Sequence, residues 1–462
     1  MVAQRRCTVK AKLTIRDYTY VASMLFGLFF GAGNLIFPVR MGQMAGSHVW
    51  LAVLGFLITG VGLPLLGVAA LGISRSRGLY DLSCKVDRRY AMGFTCLLYL
   101  TIGPFFAIPR CATTSFTVGI ESMLGSDANL RLWLFVFSLV FFGAALLFSL
   151  FPGKILTWVG KILNPLFLIF LGVLVVVALT APTIGISSVE PAGDYLYDPF
   201  PTGFLEGYNT MDALASLAFG IVVVQAIRDL GVTDAGAVAG STVRAGVFSC
   251  LFMALIYVAV TLVGTLSRGA FPVAENGGIA LAQIAQYHLG KPGLFILAAT
   301  VTLACLKTSV GLITSCSETF AALFPNGPKY RVWAVIFSLA SFLFANLGLD
   351  QIISYSIPVL MFLYPLAITL TVLALFGNLF QNDRVVYLWV TGLTLIGAVY
   401  DLLCALPQGM RTALHLDGFL GAVADKVPLA ALGLGWICPA LIGLIAGVCH
   451  HMIRKHTKRI TM

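Results

Sequence analysis

The first long apolar block of this chain, from Asp17 to Gln43, is interrupted in its middle by Gly27-Leu28-Phe29-Phe30-Gly31-Ala32-Gly33-Asn34-Leu35-Ile36-Phe37-Pro38. A glycine-rich run of this kind breaks the i→i−4 ladder of a helix, so carbonyls before it and N–H groups after it lose their intrahelical partners. Hydrocarbon cannot satisfy such groups, and a break at membrane depth must therefore face protein, water or a polar ligand. The segment predicts a binding site in the middle of the bilayer.

The bilayer itself follows from composition. Of 462 residues 59% are hydrophobic and only 10% are charged, against about 25% charged in soluble domains. Twelve apolar blocks can be read, each near or above the ~20 residues that span hydrocarbon and far longer than the ~10 of a barrel strand. The expected class is an all-α polytopic membrane protein forming a single transmembrane domain. It divides into a cytoplasmic N-terminus (1–16), a first repeat (17–181), a second repeat (206–376), two additional helices (385–452) and a cytoplasmic tail (453–462).

Of the 29 basic residues, 21 fall on the side shared by both termini, six fall on the opposite side, and Arg110 and Lys307 lie within blocks. The crowded side includes Arg5, Arg6, Lys10, Lys12, Arg75 and Arg77. By the positive-inside rule both termini are expected in the cytoplasm, with the N-terminal block kept as an anchor because no small-residue cleavage site precedes it. The net charge of +10 then reflects topology and not a nucleic-acid surface, since no basic run is interleaved with stacking aromatics.

The ten cysteines, Cys7 among them, are scattered and never form Cys-x-x-Cys, which fits small buried residues better than metal or redox chemistry. The six histidines fall in loops or near the C-terminus. No His-based cluster therefore sits within the membrane, and neither an enzyme nor a cofactor is expected. A passive channel would want a continuous polar or charged ring, which the mostly apolar blocks do not offer.

A second interruption lies in the sixth block, at Gly207-Tyr208-Asn209-Thr210-Met211-Asp212-Ala213-Leu214-Ala215-Ser216-Leu217-Ala218-Phe219-Gly220. Gly27-x-x-x-Gly31 alone is equally a close helix contact. Two broken helices five blocks apart point instead to inverted repeats, the plan of secondary transporters.

The ordered set Gly31 to Pro38, Gly103-Pro104-Phe105-Phe106-Ala107-Ile108-Pro109-Arg110, Tyr208 to Asp212 with Phe219-Gly220-Ile221-Val222, and Cys305-Leu306-Lys307-Thr308-Ser309-Val310-Gly311-Leu312 resembles the bacterial branched-chain amino acid:cation symporter family from about residue 16 to 450. The two breaks more distantly resemble helices one and six of sodium-coupled amino-acid transporters of the leucine transporter type, which implies a five-plus-five inverted repeat with two helices appended. The resemblance implies import of Leu, Ile and Val across a bacterial cytoplasmic membrane, driven by sodium, with proton coupling open. The alternative is a proton-coupled carrier for other small neutral amino acids.

On that resemblance a substrate carboxylate is expected at the N–H groups of Gly33, Asn34 and Leu35, where a half-helix dipole is positive. The ammonium is expected at carbonyls near Phe29, Phe30 and Ser216, Leu217 and Ala218, and the side chain against Leu217 and Phe219. The wider superfamily implies a sodium ion held by carbonyls of Gly27, Phe30 and Cys305 and by hydroxyls of Thr308 and Ser309, hard oxygens suited to a hard cation. Four further ionisable residues join Arg110 in the blocks and are costly unless paired or hydrated. Lys307 is expected to pair with Asp212 or Glu318 or to act as the coupling charge, and Asp212, nearer the outer face, to act as a gate or cap residue. Glu318 is assigned to the cytoplasmic exit, Asp401 to interfacial water, and Arg110 to an interfacial anchor or to attraction of the substrate carboxylate.

Overall fold

The computed structural model describes residues 13–460 except 32, 75, 77, 125–128 and 425. The basic residues Arg5, Arg6, Lys10, Lys12, Arg75 and Arg77, and Cys7, lie outside the described residues. The chain is built from helices, with no strand among the described residues. Apart from the short helices Leu79–Ser83, Gln408–Ala413 and Asp417–Ala424 they are, in order, α1 (Ile15–Phe29), α2 (Gly33–Ala45), α3 (49–73), α4 (Arg88–Ile120), α5 (Leu130–Ser149), α6 (Pro152–Thr180), α7 (Pro199–Glu206), α8 (Asp212–Asp229), α9 (Ala235–Leu266), α10 (Gly277–Leu323), α11 (Tyr330–Ala345), α12 (Leu349–Phe376), α13 (Arg384–Cys404) and α14 (Ile437–Ile460).

Ten helical runs among the described residues are long and apolar enough to cross a membrane, where the sequence suggests twelve blocks. The difference has local causes. The break leaves Ile15–Phe29 as a 15-residue piece, Gly33–Ile73 runs on through a turn as one helical stretch, and Tyr330–Ala345 is a shorter apolar helix. The outer surface carries large apolar side chains such as Val140, Leu251 and Ile445, each about two-thirds exposed (68%, 69% and 66%), the surface expected where lipid is the solvent.

Both expected breaks are present. The helix α1 starts with a reciprocal capping box between Thr14 and Asp17 and ends at Phe29, and α2 resumes at Gly33. The second break is a short turn over Gly207–Thr210 followed by Met211 at φ 64°. This left-handed backbone is unfavourable for a side-chain-bearing residue, so it ends α7 decisively and makes Asp212 the first residue of α8.

Glycines at close crossings set the depth of these pieces. A Cβ on Gly42 would lie 2.0 Å from the Thr261 carbonyl oxygen, one on Gly264 2.1 Å from the Val39 oxygen, and one on Gly277 1.8 Å from the Ile36 oxygen. The half-helix α2 therefore rests backbone to backbone on α9 and on the start of α10, and Thr265 Oγ1 donates to the Gly42 carbonyl at 2.9 Å across the same contact. The long helix α10 bends at Gly290 (φ 62°), and its later part carries Cys305 to Ser309 beside α1.

Gly264→Leu should force α9 away from α2, costing about 1–3 kcal/mol or more by overpacking. A lower melting temperature and a loss of the monodisperse peak in detergent size exclusion are expected. Gly172→Leu, where an added Cβ meets nothing within 4 Å, should leave both unchanged.

Candidate functional site

The two breaks are joined by Asn34. Its Oδ1 accepts the Gly31 N–H at 2.9 Å, and its Nδ2 donates to Asp212 Oδ2 at 2.6 Å and to the Tyr257 hydroxyl. Tyr257, from α9, donates in turn to the same Asp212 Oδ2 at 2.7 Å. Asn34, Asp212 and Tyr257 are 1%, 2% and 0% exposed. One amide thus satisfies an N–H freed by the first break and ties it to a carboxylate at the second. The carboxylate sits at the N-terminus of α8, where the helix dipole favours an anion.

Arg110 follows the wide turn Thr101–Phe105 in α4 and is 4% exposed. Its Nη1 donates to the Asn209 carbonyl at 2.9 Å, and its guanidinium lies 5.5 Å from the centre of the Phe37 ring. A Cβ on Gly33 would lie 3.1 Å from Arg110 Nη2, so the glycine lets the guanidinium reach the start of α2. Arg110, Asp212, Asn34, Gly31, Gly33 and Thr308 share one small cavity of about 30 Å³ with Leu28, Phe29, Ile102, Ala107 and Leu312. That volume is about one water molecule's share of the liquid.

A second polar locus lies on α10. Thr308 Oγ1 faces the Gly27 carbonyl at 3.5 Å, and the buried Ser309 Oγ has no hydrogen-bond partner. Lys307, fully buried, donates to Asn164 Oδ1 at 3.0 Å. Asn164 Nδ2 donates to the carbonyl and hydroxyl of Ser23 at 3.1 and 2.9 Å. The ammonium lies 3.6 Å from the centre of the Phe167 ring and 5.1 and 5.8 Å from those of Phe26 and Phe30.

Of the residues singled out from sequence, Phe29, Gly33, Asn34, Thr308, Arg110 and Asp212 line the cavity together. Arg110 is a buried group and not an interfacial anchor, and Asp212 is joined to the first break through Asn34. Lys307 pairs with neither Asp212 nor Glu318; its ammonium donates instead to Asn164 of α6. Glu318 lines a separate cavity of about 430 Å³ with Gln225 and Asp229. Asp401 is 3% exposed and packed against Gly435, not at interfacial water.

The remaining residues lie behind the wall. Phe219 packs edge-on against Phe29 with ring centres 5.7 Å apart. Ser216 donates to the Ala213 carbonyl at 2.6 Å and, with Leu217, abuts Gly67 of α3. The Ala218 carbonyl already accepts Tyr99 at 3.0 Å and Ser315 at 2.6 Å, which fills its two lone pairs. Phe30 is enclosed by Phe26, Phe167 and Tyr257, Leu35 faces an apolar crevice with Leu171 and Val260, and Cys305 is fully buried. Tyr257 was not singled out from sequence. Its signal is a phenol within the apolar run Ala254-Leu255-Ile256-Tyr257-Val258, where a buried hydroxyl needs a partner.

Asn34→Ala should lower thermal stability more than Tyr257→Phe. The first leaves both the Gly31 N–H and the Asp212 carboxylate short of a partner, and each unsatisfied buried group costs about 1–3 kcal/mol. The ordering of melting temperatures in detergent checks this; equal melting temperatures would contradict it.

Comparison with known proteins agrees with this architecture. The chain is similar to Mhp1, a nucleobase-cation-symport-1 family transporter solved in a closed conformation with bromovinylhydantoin, at TM-score 0.59 and 14% identity over 97% of this chain and 95% of that one. It is also similar to MhsT solved with L-phenylalanine, at TM-score 0.56 and 15% identity over 96% and 99%. These likenesses establish the fold, that of the leucine transporter type with its five-plus-five inverted repeat. Relatives by sequence include the branched-chain amino acid permease BrnQ of Lactobacillus delbrueckii subsp. lactis, 51% identical over 94% of this chain and 96% of that protein. They also include BraB of Bacillus subtilis, 40% identical over 95% and 96%, and BrnQ of Escherichia coli K12, 39% identical over 95% and 96%. With residues 14–454 matching the family described as branched-chain amino acid transport protein, the chain belongs to that family and is a multi-pass membrane transporter, not an enzyme.

Proposed function

We propose that this protein imports branched-chain amino acids, Leu, Ile and Val, across the bacterial cytoplasmic membrane by alternating access, driven by a sodium gradient. The observation that carries this reading is the cavity where the two broken helices meet, in a chain whose relatives are named branched-chain amino acid permeases. Both termini are cytoplasmic on this reading, supported by the asymmetry of basic residues.

The apolar part of the cavity, Leu28, Phe29, Ile102, Ala107 and Leu312, suits an aliphatic side chain. Full burial of such a side chain contributes about 1.5–3 kcal/mol, enough to prefer it over a polar one but little help in separating Leu from Ile or Val. A cavity of about 30 Å³ is smaller than any of these, so the walls part to admit the substrate and close on it, which is the gating step of a carrier. Leu28 and Phe29 belong to α1, Ala215 to α8 and Leu312 to α10, so loading the cavity is coupled to the relative position of three helices.

The cation is expected beside it. Ser309 Oγ is buried without a partner, and Thr308 Oγ1 and the Gly27 carbonyl stand only loosely bonded at 3.5 Å. On this reading they serve, with the Phe30 and Cys305 carbonyls, as neutral hard oxygens of the kind that suits a monovalent ion. A second reading, proton coupling, is favoured by Lys307, whose ammonium has only an amide and three rings for company and no carboxylate within ion-pair distance among the described residues.

Uptake of labelled leucine into proteoliposomes, with sodium and pH gradients imposed separately, distinguishes the two. Thr308→Ala should raise the half-saturating sodium concentration roughly tenfold, the loss of about 1.4 kcal/mol in ion binding, while uptake at saturating sodium persists. Unaltered sodium dependence in that variant would remove the ligand assignment. Uptake driven by a pH gradient without sodium, abolished in Lys307→Met, would establish proton coupling instead. Preloaded unlabelled leucine should accelerate labelled uptake, as a carrier does and a pore does not.

A further inference from the structure

Arg110 and Asp212 are buried, carry opposite charges, and line the same cavity, yet they do not form an ion pair with each other. Each is held by neutral groups. Arg110 has the Asn209 carbonyl and the face of Phe37, and Asp212 has the amide of Asn34 and the phenol of Tyr257. A buried charge whose hydrogen bonds come only from neutral groups stays costly while the opposite charge lies beyond contact, and a charged group placed between the two lowers that cost. A ligand bearing one positive and one negative group close together supplies both at once.

We infer that Arg110 and Asp212 are the specificity-determining charges of the cavity, the guanidinium receiving the α-carboxylate of the substrate and the Asp212 carboxylate receiving its α-ammonium. The inference rests on the reading that the cargo is an amino acid. The geometry distributes the roles. Arg110 Nη2 approaches the backbone at Gly33, so the guanidinium and the free N–H groups at the start of α2 converge on one anion, the guanidinium as a planar donor fork. Asp212 lies across Asn34 from that point, and both of its side-chain donors fall on Oδ2, so Oδ1 lies outside that pair of bonds. With the polar ends so fixed, the hydrocarbon side chain is directed toward Leu28, Phe29, Ile102 and Leu312.

The consequence is a carrier that rejects molecules with the right hydrocarbon and only one charge. Equilibrium binding of labelled leucine to the purified full-length protein at saturating sodium is the test, with 4-methylpentanoate, which lacks the amino group, and leucinamide, which lacks the carboxylate, as competitors. In the unmodified protein each should bind at least tenfold more weakly than leucine. Asp212→Asn should weaken leucine at least tenfold and 4-methylpentanoate less than twofold, and Arg110→Gln should do the same for leucine and leucinamide.

Three results would overturn the inference: competition by either analogue equal to that of leucine in the unmodified protein, leucine binding within twofold of the parent in both variants, or an Asp212→Asn protein changed only in its sodium requirement. The analogue comparison on the unmodified protein decides the matter if a variant does not fold. Should that protein bind no leucine, a panel of the other amino acids in a thermal-shift assay separates the two readings. Stabilisation by a different zwitterion moves the analogue test to that amino acid and overturns only the branched-chain assignment, while stabilisation by none overturns both.

Discussion

Backbone groups released by a broken helix find no partner in hydrocarbon, and the way Asn34 satisfies one of them organises the residues around it. Its carbonyl oxygen takes up the Gly31 N–H, and its amide nitrogen reaches across to Asp212 and Tyr257. A local repair of one helix therefore becomes a link among three helices. Because the amide has both functions at once, the first break cannot change its conformation without disturbing the carboxylate that begins α8. Such a network specifies one arrangement because partial satisfaction is costly in a low-dielectric setting.

That network is held at a defined depth by contacts with almost no tolerance. The half-helix α2 meets α9 through Gly42 and Gly264 and meets α10 through Gly277, each with no room for a methyl group. The associated side-chain bonds, Gln43 to Ser267 at 2.9 Å and to the Ala274 N–H at 3.0 Å, fix α2 from its other end. Small residues thus seat the half-helix on one side of the break, while α1, on the other, packs through Val21, Met24, Leu25 and Leu28 together with the rings of Phe26 and Phe29.

Much of this was legible in the sequence. Glycine runs and the pairing of two interruptions are local patterns, and each produced a correct expectation of where helices break, whereas apolar block lengths gave twelve blocks against ten qualifying runs among the described residues. Partnerships were less accessible, because they join residues far apart. Asn34 and Tyr257 are 223 positions apart, Asn34 and Asp212 178, and Lys307 and Asn164 143, and nothing in the local pattern announces them. Phe219 illustrates the other difficulty. It lies one turn from the cavity-lining Ala215, and its ring meets the edge of Phe29, a cavity-lining residue 190 positions earlier in the chain. Arg110 and Asp212 were visible as unusual residues, while their meeting at one cavity required the fold.

The surroundings of Lys307 constrain motion as well as charge. Its ammonium is shared among α10, which carries it, α6, which contributes Asn164 and Phe167, and the end of α1 around Phe26 and Phe30. Tilting α1 outward would strip ring faces from a cation, at about 0.5–2 kcal/mol for each face lost, and would open it toward the neighbouring crevice that Ser23, Phe26 and Asn164 already line. The aromatic enclosure therefore favours the packed position of α1, because an excursion that leaves the ammonium without water or an ion to replace those rings is penalised.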